Sequence, residues 1–186
     1  MLRYARTIGI ALTLLSATTV FMHLALVRPA LADELDDDAA AALRSLYEGS
    51  PAARLLGEKA VGILVFPNIV KAGFLFGAQF GEGTLFRGGR KVANYRSVAA
   101  SYGFQAGVQA FGYAMFFMTN AALDYLDKSG GWELGVGPSI VVIDAGVARN
   151  LTTSTIQSDI YAFVFDQRGL MGGIGIQGSK ITRINH

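Results

Sequence analysis

The stretch from Gly62 to Gly83, GILVFPNIVKAGFLFGAQFGEG, constrains the fold more than any other part of the chain. An apolar run, Val61 to Phe66, reads as a short strand closed by Pro67-Asn68. In the strand that follows, Phe74, Phe76, Ala78 and Phe80 point one way. Gly73, Leu75, Gly77, Gln79 and Gly81 point the other way, because side chains alternate across a strand. Glycine weakens a strand interior, so its repeated use needs a geometric reason. Two reasons are open: a sheet that coils tightly where side chains are missing, or a glycine-lined groove for a ligand.

The same texture continues downstream. Arg87-Gly88-Gly89-Arg90 has the form of a two-residue hairpin turn. In Val98 to Met118, Tyr102, Phe104, Ala106 and Val108 alternate with Gly103, Gln105, Gly107 and Gln109. Thr119-Asn120 caps a short helix, Ala121 to Leu126. Trp132, Leu134 and Val136 alternate again and lead into Ile140 to Ile143. Ile160 to Phe165 and Leu170 to Ile176 read as the last two strands. Ahead of the β region, Leu35, Ala39, Ala42, Leu43, Leu46 and Tyr47 fall at helical spacing. Gly49 stops that helix, and Ser50-Pro51 starts a second, shorter one as N-cap and first-turn proline. The expected fold is α+β, with N-terminal helices packed on a strongly curled, glycine-rich antiparallel sheet or partial barrel.

Residues 1–32 read as a secretory signal: basic Arg3 and Arg6, an apolar run from Ile8 to Val27, then Ala30-Leu31-Ala32 before Asp33-Glu34. An uncleaved anchor is the other reading, since about 20 apolar residues can span a bilayer. The expected boundaries are 1–32 for the signal, 33–58 for the helices and 59–186 for the β core of the same domain. Cleavage near Ala32 would release an exported protein, periplasmic or envelope-associated. It would also remove three of the 16 basic residues and none of the 14 acidic ones, so what remains is not basic. That removes the main support for nucleic-acid binding. With no cysteine, an exported domain must be held by its core.

Few residues could do chemistry. Past residue 32 the one histidine is His186, the last residue, so a histidine-based triad or a zinc site lacks its parts. Asp124 and Asp127 read as solvated helix charges. Gly173 to Gly178 matches a dinucleotide pattern literally but opens no βαβ unit. No cofactor, metal or catalytic residue is expected. The surviving constellation is cationic. Arg87 and Arg90 face each other across the hairpin turn, and an anion bound there would relieve their repulsion. The other reading is a solvated basic turn that discourages edge pairing. Lys91 falls on the opposite face and Arg96 further along. Lys71, Lys180 and Arg183 complete the candidate set.

Four blocks together resemble the SYLF domain family: GILVFPNIVKAGFLFGAQFGEG, VAASYGFQAGVQAFGYAMFFM, GWELGVGPSIVVID and DQRGLMGGIGIQGSKITRI. The resemblance runs from about Ala39 to Ile184. It implies a non-enzymatic module. Eukaryotic members bind phosphoinositides and membranes, the yeast branch binds actin, and bacterial members are exported and commonly labelled lipid-binding. For an exported chain the implied partners are anionic phospholipid or lipopolysaccharide. The rival expectation is a scaffold that binds another protein through its glycine-aromatic surface.

Overall fold

The computed structural model describes residues 33–73, 76–102, 107–128, 132–133, 138–143, 155–170 and 180–184. The signal segment 1–32, the expected strand beyond Leu170, the dinucleotide-like glycines and His186 lie outside the described residues. Leu35–Asn185 clusters as one compact unit.

Helix α1 covers residues 33–49 and helix α2 covers Pro51–Lys59. The sequence signals at their junction act as expected, with Ser50 Oγ accepting from the Ala53 amide. The strands are β1 Gly62–Gly73, β2 Phe76–Arg87, β3 Arg90–Tyr102 and β4 Gly107–Phe117. Helix α3, Asn120–Leu126, follows with Thr119 Oγ1 as its N-cap acceptor. Then come β5 Trp132–Glu133, β6 Ile140–Ile143, β7 Ile160–Leu170 and β8 Lys180–Ile184. They form one sheet in the order β5-β8-β3-β2-β1-β4-β7-β6.

The α+β class holds, with several corrections. The sheet is mixed, because β6 and β7 run parallel, from Ile140 opposite Ile160 to Ile143 opposite Phe163. The chain between them is long enough for the crossover that parallel pairing requires. Among the described strands the sheet is open, with β5 and β6 at its edges. Pro67-Asn68 does not end a strand. It is a bulge inside β1, where the register against both β2 and β4 shifts. Val98 to Met118 spans the end of β3 and all of β4, and among the described residues the last strand is Lys180–Ile184.

The β1 bulge explains two of the glycines. A Cβ on Gly81 would stand 2.7 Å from Ile69 Cγ1 and 3.0 Å from the Asn68 carbonyl, and one on Gly83 would collide with the Val65 carbonyl. These glycines let β2 close against the bulged strand. Gly88 and Gly89, at φ 55° and 75°, form the expected hairpin turn, which only glycine adopts without strain.

The sheet is covered differently on its two faces. On the face called A here, Ile63, Val65, Ala114, Phe116 and Phe163 pack against Ala39, Leu46, Ala53 and Leu56 of α1 and α2. On face B, Leu64, Leu85, Tyr95, Tyr113, Phe117 and Ile181 pack against Ala122, Leu123 and Leu126 of α3. The bulge inverts the phase of β1, so Ile69 and Lys71 point to face B, while Val70 and Ala72 point to face A.

Candidate functional site

The candidate cations of the sequence are scattered, and most are engaged. Arg87 and Arg90 are opposed across the hairpin, as the spacing requires. Arg87 Nη2 donates to Asn120 Oδ1 at the start of α3, 3.2 Å away. Arg90 is exposed, with no partner among the described residues. Lys91 pairs with Asp36 of α1. Arg183 lies 3.6 Å from Asp127. Asp127 also accepts the Tyr95 hydroxyl at 2.6 Å, so this carboxylate ties α3 to the sheet rather than merely meeting solvent. Burial of Tyr95, together with that bond, raises its pKa well above the ordinary tyrosine value.

Arg96 donates twice to Glu82, at 2.7 and 3.1 Å, with its guanidinium 5.5 Å from the Phe80 ring centre. Lys71 is buried, 3% exposed, in the middle of the sheet on face B. It therefore belongs to no surface set. Lys180 is exposed at the start of β8, opposite Val98.

Register assembles what sequence spacing could not. On face A, beyond the reach of α1 and α2, one cross-strand row reads Lys180, Val98, Phe80, Val70, Ala110, Arg168 across β8, β3, β2, β1, β4 and β7. Val70, Phe80 and Val98 are each more than 40% exposed. The next row adds exposed Ala100, Ala78, Ala72 and Val108, the last 61% exposed. A contiguous apolar sheet surface therefore faces outward with a cation at each end. Neighbouring strands stand about 4.8 Å apart, so the row spans on the order of 24 Å. Solvated sheet faces normally alternate to polar residues, and an apolar one marks an interaction surface.

Residues 98–185 match the family model Ysc84, described as Las17-binding protein actin regulator. Residues 98–185 carry the Ysc84 (SYLF) domain match. Three of the four sequence blocks that resemble this family lie inside the match, and the glycine-rich β1–β2 block precedes it. No curated protein matches the chain. Within the SYLF segment fall Val98, Val108, Ala110, Arg168 and Lys180 of the apolar row and its neighbour.

Sequence reasoning missed Arg168 and the outward apolar residues. The alternation of Phe80 and Ala78 against Gln79 and Gly81 was visible, but not which face met solvent. A concavity lies between α1 and the hairpin turn. It measures about 420 Å³ and is lined by Leu43, Arg44, Tyr47, Ile63, Phe86 and Gly89. Among the described residues no group of His, Cys, Asp or Glu is arranged to hold a metal, and no helix is long and apolar enough to cross a membrane.

Proposed function

We propose that this SYLF domain is a non-enzymatic lipid-binding module that associates peripherally with anionic membrane surfaces through the outward apolar face of its sheet. The observation that carries the reading is the row from Lys180 through Val98, Phe80 and Val70 to Arg168. Apolar side chains enter the boundary between headgroups and acyl chains, and the flanking cations meet lipid phosphates. Arg90 and Arg87 at the hairpin tip are secondary contacts in this reading. The proposed setting is outside the cytoplasm, after removal of residues 1–32, with phosphatidylglycerol, cardiolipin or lipopolysaccharide as the anionic partner. The glycine rows are read as the places where the sheet coils.

The printed description of the family names a protein partner and actin regulation, which favours a second reading. In it the same apolar face receives another protein. Sedimentation with vesicles separates the two. Binding to phosphatidylglycerol vesicles that falls with added salt supports the lipid reading. No binding to any anionic vesicle, with soluble protein recovered, supports the protein partner.

A further inference from the structure

Face B carries a row of a different kind. Lys71 of β1 lies opposite Gln79 of β2 on one side and Gln109 of β4 on the other. All three side chains are buried, at 3%, 7% and 6% exposure. Among the described residues Lys71 Nζ has no hydrogen-bond partner, and neither glutamine amide reaches it. A buried amine without an acceptor is costly, and lysine is rarely so placed unless something pairs with it. The only other buried side-chain polar atom left unpartnered among the described residues is Tyr113 Oη, on the same face of β4.

The next row outward on this face is Gly77, Gly73, Gly107, where Gly73 lies opposite each of the other two and none carries a side chain. Three glycines therefore border the buried Gln79–Lys71–Gln109 row on its outer side. On the other flank of Lys71 the row is Gly81, Ile69, Phe111, where Ile69 and Phe111 are buried and apolar.

We propose that the buried row Gln79–Lys71–Gln109, bordered by Gly77, Gly73 and Gly107, binds a monoanionic oxyanion, a carboxylate or phosphodiester, on Lys71 Nζ. The charge requirement follows from one basic group with no acid beside it among the described residues. The carboxamides supply further donors to the same oxygens. A Cβ at any of the three glycine positions would project onto face B beside this row. The row is on the opposite face from the apolar surface row, so the site stands or falls independently of the membrane reading.

The test uses the full chain and three soluble probes: acetate, octanoate and dihexanoyl phosphatidylglycerol below its micellar concentration. The first is a free anion, the others amphiphiles, so the arms separate the two sources of the oxyanion. Expected for wild type is a melting temperature that rises with at least one probe. The side-chain amide NMR signals of Gln79 and Gln109 should shift with that probe along a saturating curve. Lys71→Met should melt higher than wild type without probe, because it removes an unpaired buried amine. It should also bind the probe about ten- to a hundredfold more weakly. Equal stabilisation of wild type and K71M overturns the site. So does a wild-type titration in which neither glutamine signal moves, a measurement that needs no variant to fold.

Discussion

Lys91 of β3 is ion-paired with Asp36 of α1, so a residue expected at a membrane-facing tip holds a helix onto the sheet. Asp36 also accepts from Thr84 Oγ1 and Asn94 Nδ2, both at 2.8 Å, and Asn94 in turn donates to Thr84 at 3.1 Å. Thr84 and Asn94 are buried and opposite each other on β2 and β3. Burial alone would raise the Asp36 pKa. The bonds from Lys91, Asn94 and Thr84 outweigh it and hold the carboxyl below its ordinary value.

Asp36→Ala should therefore lower stability by about 2 kcal/mol, since it removes charge-assisted bonds and strips two buried groups of an acceptor. A carboxylate whose folded pKa is depressed adds stability above its unfolded pKa, near 3.9, and that stability disappears as pH falls through the folded value. Urea midpoints at pH 7 and pH 3 check both points. Wild type should lose more on acidification than Asp36→Asn. An equal loss in the two proteins would dissociate Asp36 from the acid response.

Gly83→Ala should cost more than about 2 kcal/mol, because the added Cβ meets the Val65 carbonyl, which the bulge fixes in place. Gly88→Ala meets no atom and is opposed only by its positive φ, so its cost should be smaller, about 1 kcal/mol. Thermal melts of the two variants give the comparison. If G88A proves the more damaging, close packing at the bulge is not what glycine provides there.

Much of this architecture was legible because its signals are local. Ser50-Pro51, Thr119 and Gly88-Gly89 mark their helices and turn through chemistry that needs no tertiary partner. The alternation in β2 was legible for the same reason. Pro67-Asn68 misled because a proline between apolar runs reads as a stop. Only pairing with two strands shows that the chain continues through it as a bulge. The parallel β6–β7 pair was hidden because strand direction is a property of the partner. The candidate cations were scored by charge alone, whereas Asp36, Glu82 and Asp127, distant in sequence, determine which of them are engaged. Lys71 illustrates the limit. Its position in an apolar run is plain, and its burial between two glutamines is a fact of register.

Tyr95→Phe should destabilise by about 1 kcal/mol. The lost hydroxyl bond to Asp127 is charge-assisted, but that carboxylate is half exposed and recovers water and Arg183. Equilibrium unfolding at neutral pH measures it. A loss above about 3 kcal/mol would mean that the ring, and not the hydroxyl, had been disturbed.

Vesicle binding discriminates the surface row from the hairpin tip. The purified protein should sediment with phosphatidylglycerol vesicles and poorly with phosphatidylcholine alone. The binding should weaken with salt, since exposed charges are screened within about 10 Å at 0.1 M. Each cation near an anionic surface contributes on the order of 1 kcal/mol, so Arg168→Ala with Lys180→Ala should weaken partitioning about thirtyfold. Phe80→Ser withdraws a half-exposed ring from the apolar centre of the same row and should cost roughly a further fivefold. Arg87→Ala with Arg90→Ala tests the tip without touching the Lys91–Asp36 pair, and should cost less than the R168A/K180A double change. None of these side chains is buried, so all variants should melt close to wild type. A tip variant that abolishes binding while the row variants bind normally would move the membrane contact to the hairpin.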